Sequence, residues 1–291
     1  MKIVDAHNHP DWCGHDLTKF LHNMDENGIS QCWLMPWECA PTDYSSYYQS
    51  KIPAEVLGST TGPIPFTRCL SYVERCPERF ILGCCPDPRR PGACDMLVAA
   101  RDIYGARVCG ELKVRTMFDD PDVIRLCRTA GELGMPVTVH LDYDCQKTRR
   151  EPWSEWFGGT IDALERLLQA CPETRILGHA PGFWIHISGD DLWQTAKYPA
   201  ADAPVIPGGR VSELLRKYPN LYGDMSGGSG RLALSRDPEH ARRFITEFQD
   251  RLLFARDYFD DGLQVFLDSL SLPEPIREKI YFRNAGKLIA Q

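Results

Sequence analysis

Apolar and polar positions along this chain follow two rhythms, and the rhythms take turns. Short apolar, β-branched runs bounded by polar, Gly or Pro residues read as buried strands: KIVDAH, QCWLMP, FILGCC, ARVCGELKV, MPVTVHL, ETRILGH, NLYGDMS and DRLLFARD. Between them stand segments with apolar residues at helical spacing, such as LTKFLHNMDENG, PFTRCLSYVERCP, CDMLVAARDIYG and GTIDALERLLQACP. DPDVIRLCRTAGELG carries its own signals: Asp120 suits the N-cap, Pro121 the first helical position and Gly134 the end. Each strand is followed by a helix or a long connection, which predicts one α/β domain over residues 1–291, a (β/α)8 or TIM barrel. The competing open doubly wound sheet calls for a glycine-rich phosphate turn after its first strand. This chain has HNHPDW there. Two long loops, Trp37–Phe66 and Phe183–Arg210, follow strands two and six and should emerge at the active end of such a barrel.

Composition narrows the classes of partner. A chain of 291 residues that is 43% hydrophobic can bury a full core. The net charge is -7, and the charged residues are mixed in sign without a basic block. No nucleic acid and no membrane surface is therefore expected as partner, and a small-molecule substrate is. No run of about 18 apolar residues is present to span a bilayer. Strand-like residues begin at position 2, so no signal peptide is expected. The 12 cysteines are scattered through strands and helices with no CxxC pair, which excludes a zinc ribbon and suits a reducing, cytoplasmic home.

Candidate chemistry follows from where the polar residues fall. Barrel active sites lie at the C-terminal ends of the strands. His7 and His9 end strand one, two residues apart and so on one face. Glu111 and Lys113 share a face near the end of strand four, His140 ends strand five and His179 ends strand six. Asp224 sits late in strand seven, and Asp257 ends strand eight. Imidazoles and a carboxylate converging at one end of a barrel suit zinc or manganese.

These motifs, taken in order, resemble the amidohydrolase superfamily, in particular its amidohydrolase-related branch of lactone hydrolases and nonoxidative decarboxylases. DAHNH is similar to the first-strand HxH motif, PVTVH to the fifth-strand histidine and RILGHAPG to the sixth. YPNLYGDMS, DRLLFARD and NAGKL are similar to the seventh strand, the eighth-strand aspartate and the closing Asn-Ala segment. The resemblance implies His7, His9, His140 and Asp257 as ligands of a catalytic divalent ion, with Asp257 also taking a proton from water. It implies His179 either as ligand of a second ion or as donor to the substrate carbonyl. On strand four the superfamily uses a carboxylated lysine or a glutamate as bridge, and CGELK offers both. Glu111 is the simpler bridge, ahead of a plain ion pair with Lys113 or Arg107. Lys113 is expected to hold an anionic group of the substrate rather than to bridge.

Around this set, Asp5 and Asp224 are candidates to orient ligands. Arg256 replaces the threonine common before the aspartate, and is expected at the rim or paired with Asp224 or Asp257. Arg115, Trp12, Trp184 and His186 are candidate substrate contacts. Tyr44, Tyr47, Tyr48 and Trp193 could wall the pocket or bury an interface between copies in a homo-oligomer. Ser226-Gly227-Gly228-Ser229-Gly230 reads as a flexible turn rather than an anion cradle. The expected function is a metal-dependent hydrolase of a lactone, ester or amide, holding one or two ions. The alternatives are a nonoxidative decarboxylase and, more distantly, a non-catalytic binding barrel.

Overall fold

The computed structural model describes residues 1–44, 48, 51, 61–143 and 156–289. Eight parallel strands carry the chain: β1 Val4–Asn8, β2 Gln31–Leu34, β3 Phe80–Leu82, β4 Cys109–Leu112, β5 Val137–His140, β6 Ile176–His179, β7 Leu221–Asp224 and β8 Leu252–Leu253. They pair in sequence order, β1-β2-β3 and β4 through β8. Two seams join these runs. At the first, Gly83 bridges Val108 in parallel, with Arg107 N donating to Leu82 O and Cys84 N to Val108 O, both at 2.9 Å. A Cβ at Gly83 would lie 2.9 Å from Leu34 O, so this seam needs a residue without one. At the second, Ala6 N donates to Phe254 O at 3.1 Å and Asp257 N to His7 O at 2.8 Å. The TIM barrel expected from the alternating pattern is the fold found.

Helices follow the strands where the sequence signals them: α1 Leu17–Glu26, α2 Phe66–Arg75, α3 Ala93–Tyr104, α4 Pro121–Glu132, α5 Ile161–Ala170, α6 Arg210–Lys217, α7 Gly227–Ser235 and α8 Pro238–Glu247. Their starts are fixed by side chains that accept otherwise unpaired backbone N–H groups. Asp16 accepts from Lys19 N, Asp120 from Asp122 N, Thr160 from Ala163 N and Asp237 from His240 N. The glycine-rich stretch after β7 corrects its reading as a flexible turn, because Gly227 opens α7. Its small residues serve close packing: a Cβ on Gly230 would meet Met225 O at 2.3 Å.

The strand residues that precede the polar ones form a floor. Val4, Ala6, Trp33, Met35, Val108, Leu177, Leu253 and Ala255 make one buried apolar cluster with Ala285 and Leu288 near the C-terminus. His7, His179 and Asp257 follow one or two positions after members of this cluster, so the polar site sits directly on a dry base. Among the described residues, no helix is long and apolar enough to cross a membrane. The described cysteines are all free.

The β8–β1 seam is held by a buried ion pair. Arg256 Nε and N each donate to an Asp5 carboxylate oxygen at 2.9 Å, and Arg256 Nη1 donates to Asn23 Oδ1 at 2.7 Å. Asp5 also accepts from His7 N at 3.3 Å and from Asn8 Nδ2 at 3.2 Å. The pair therefore fixes the backbone just before Asp257 to the backbone of His7. Arg256 thus takes Asp5 as its partner, which sequence reading had not weighed for it. Removing one member of such a pair strands a buried charge. Arg256→Met is expected to lower unfolding free energy by about 3 kcal/mol or more, read by urea denaturation.

Candidate metal centre

Four imidazoles and two carboxylates meet above the floor. His7 and His9 approach through their Nε2 atoms at 3.3 Å, although the β1–β2 register shifts between Asp5 and Asn8. Glu111 lies among them: its Oε2 is 3.5 Å from His9 Nε2, and its Oε1 is 2.6 Å from His140 Nδ1 and 3.6 Å from His179 Nε2. Asp257 faces the same atoms. Its Oδ1 is 3.5 Å from His9 Nε2 and 3.8 Å from His7 Nε2, and its Oδ2 is 3.5 Å from His179 Nε2.

The outward nitrogens are tied down. His7 Nδ1 donates to Asp224 Oδ2 at 2.6 Å, and His9 Nδ1 donates to Met35 O at 2.7 Å. His179 Nδ1 lies 2.9 Å from Ser226 Oγ. Asp224 in turn accepts from Ser226 N at 2.8 Å. A histidine whose Nδ1–H is engaged this way turns the Nε2 lone pair inward, the arrangement by which outer partners orient metal-binding imidazoles. Three overlapping sets have ligand atoms within 4.8 Å of one another: His7, His9 and Glu111; His7, His179 and Asp257; Glu111, His140 and His179. Two atoms at the centre, Glu111 Oε2 and His179 Nε2, are buried without a hydrogen-bond partner. Orphaned, inward-facing donors of this kind fit a divalent cation.

Charge in the site tells the same story. Burial works against a proton on His7, but Asp224, Asp257 and Glu111 outweigh it and raise its pKa to about 10. Burial would raise the Glu111 carboxyl, yet Lys113 and His140 hold it well below the usual range. Burial and the Lys113 charge together push His140 down to about 3. Without a cation, protons therefore compensate the carboxylates, and a bound ion has to displace them.

Lys113 stands apart from the imidazoles. Its ammonium lies over the rings of Trp37, Tyr48 and Phe157, at 4.2, 4.6 and 5.4 Å from their centroids. It opens, with Trp12, His140, His179 and Asp257, on a cavity of about 580 Å³. Sequence reasoning had not singled out Lys51, Asp142, Lys197 or Tyr258, which also line it. These come from irregular segments, where periodicity carries no signal.

Other expected contacts lie outside this lining. Trp184 is fully buried, its indole N–H donating to Asp224 O at 2.8 Å, so it braces β7. His186 is buried with its Nε2 at 2.7 Å from the Tyr143 hydroxyl. Arg115 donates its backbone N–H to Asp43 Oδ2 at 2.9 Å, within the connection after β2. Tyr44 packs on Trp37, and Trp193 on Tyr143. Tyr47 lies outside the described residues.

A model of the amidohydrolase family matches residues 4–290. Among solved structures, the chain is similar to an uncharacterised TIM-barrel protein from Bordetella bronchiseptica, with 17% identity, a TM-score of 0.63 and coverage of 100% and 99% of the two chains. It is similar to a dihydroxybenzoic acid decarboxylase from a Polaromonas species, solved with bound manganese and 2-nitroresorcinol, with 18% identity, a TM-score of 0.63 and coverage of 99% and 97%. A probable 2-pyrone-4,6-dicarboxylic acid hydrolase from Acinetobacter baumannii matches with 14% identity, a TM-score of 0.60 and 100% coverage of both chains. No curated protein matches in sequence.

Two predictions follow from the geometry. Asp224→Asn should weaken zinc affinity about 10- to 100-fold in a chelator competition, with the circular dichroism of the barrel retained. Because the proton on His7 competes with the ion up to about pH 10, apparent zinc affinity should rise with pH through the neutral range. Calorimetry in buffers of different ionisation enthalpy should register proton release on binding. An affinity flat in pH would remove His7 from the ligand set.

Proposed function

Because the chain belongs to the amidohydrolase family, we propose that it is a metal-dependent hydrolase cleaving a lactone, ester or amide bond of a small polar substrate. The observation that carries this reading is the position of Glu111, within 4 Å of imidazole nitrogens from both histidine groups, His7 and His9 on one side and His140 and His179 on the other. Glu111 would thereby serve both groups as a shared carboxylate ligand. His7, His9 and Asp257 would hold one ion, and His140 and His179 the other. Zinc suits the nitrogen-rich set best, and manganese is the alternative.

A bound divalent ion supplies an acidified water, with pKa brought from about 15.7 toward 7, and polarises the carbonyl under attack. The chain's own groups do the rest. Asp257 is the one carboxylate of the cluster with appreciable exposure, its side chain 22% accessible at the cavity. It is therefore placed to accept the proton of the attacking water and return it to the leaving group. Its backbone has φ 52°, a left-handed conformation that its N–H bond to His7 O keeps in place. His179 is held by Ser226 on its outer side and turns its other nitrogen to the same spot. Trp12 is a wall of the cavity, where it can shield the reacting bond from bulk water.

The test is a panel of lactones, esters, amides and small carboxylic acids offered to zinc- or manganese-loaded protein, with carbon dioxide release followed in parallel. Hydrolysis without carbon dioxide supports the proposal. Carbon dioxide release alone would replace it with the decarboxylase reading. On the best substrate, Asp257→Asn should lower kcat by about 100-fold or more while moving KM far less. Unchanged kcat would place the base elsewhere.

A further inference from the structure

The connection after β6 is firmly rooted and thinly covered. Its two ends are joined to each other: Gly189 N donates to Ile206 O at 2.8 Å, and Ile206 N donates to Ser188 Oγ at 2.9 Å. A Cβ at Gly189 would lie 2.2 Å from Pro207 O, so this closure needs a residue without one. Just before α8, Arg236 and Asp237 fix the returning segment. Arg236 Nη2 donates to Pro204 O at 2.9 Å, and Asp237 Oδ2 accepts from Val205 N at 3.2 Å. Beyond that neck the packing stops, and no side chain from residue 189 to 204 is buried. An Ω-loop with closed ends and no core of its own belongs to the parts of a fold that open at least cost.

The loop tip rests on the connection after β5. Lys197 Nζ donates to Asp142 Oδ2, and Trp193 packs obliquely on Tyr143 and His186, with ring centroids 5.7 and 5.5 Å apart. The platform beneath is rigid. Asp142 is buried, and its N–H and C=O both bond to Phe157 at 3.0 Å. The Tyr143 hydroxyl accepts from Ile161 N at 2.6 Å, which leaves its proton for His186 Nε2 at 2.7 Å. The seam between tip and platform is not packed dry. It holds a gap of about 10 Å³ lined by Tyr143, Trp193 and Lys197, room for about one water. Lys197 itself is 34% exposed, so the pair can part without opening a core. Lys197 and Tyr198 also line the cavity shared by His140, His179 and Asp257. Parting the seam therefore removes a wall from that cavity.

We propose that residues 190–205 form a hinged lid on this cavity, latched shut by the Lys197–Asp142 pair, so that access to the imidazole and carboxylate cluster requires the latch to part. The lid goes beyond the hydrolase reading and depends on neither metal nor turnover. Its role is that of closing loops in general, to admit a ligand and then exclude bulk water. Cys13 is half-buried and lines the same cavity, so its thiol reports access. Cys76 and Cys94 are half-buried outside that lining and serve as controls. The experiment is timed labelling of the full chain with N-ethylmaleimide, mapped by peptide mass spectrometry. Where opening and closing are fast, the labelling rate follows the open population. Lys197→Met should label Cys13 about fivefold faster or more, the effect of losing one partly exposed ion pair, at unchanged rates for Cys76 and Cys94. Lys197→Arg, which keeps the pair, should stay close to wild type. An equal rise at all three thiols would mean general loosening, and an unchanged Cys13 rate would mean an ungated cavity. Either result would overturn the proposal.

Discussion

Glu111, Asp224 and Asp257 share a small, nearly dry volume with four histidines, and the need to compensate those negative charges shapes everything around them. Burying one unpaired carboxylate is expensive, and burying three together is prohibitive unless positive charge accompanies them. The protein supplies some of that charge itself, through a strongly basic His7 and the nearby Lys113. The orphaned atoms at the centre mark where its own compensation stops. The set fits a divalent cation, and the outer hydrogen bonds to Asp224, Met35 O and Ser226 hold the imidazoles in the orientation such an ion would need.

The barrel makes this concentration of charge tolerable by distributing its supports. The candidate ligands come from the ends of five strands, with only His7 and His9 sharing one, so the like charges are spread over several elements. The apolar floor below excludes water, and the Asp5–Arg256 pair closes the ring next to His7 and Asp257. Trp184, far from any role as a pocket wall, donates to Asp224 O and so steadies the carboxylate that orients His7. The polar site thus depends on contacts made a layer away from it.

Much of this was legible in the sequence because strands impose strict alternation and barrels gather strand ends. His7, His9, His140, His179 and Asp257 stand at or just beyond the ends of apolar strand runs, and the structure brings them together with Glu111. The family model matching nearly the whole chain agrees with the order of those motifs. Less legible were groups whose roles depend on neighbours remote in sequence. Arg256 lies 251 residues from its partner Asp5, and no local pattern could pair them. Ser226 looked like part of a flexible turn, because the packing that favours a helix there arises only once Met225 is in place. Irregular connections were harder still: Lys51 and Lys197 reach the cavity from segments without periodicity, and His186, expected as a substrate contact, is buried against Tyr143.

The central claim, that Glu111 joins two ion positions in one site, is tested most directly by counting metal. Elemental analysis of protein purified without chelator and reconstituted with zinc should find two ions per chain, falling to one or none in Glu111→Ala. One ion in both proteins would show that Glu111 bridges nothing, and no ion in wild type would contradict the metal centre itself.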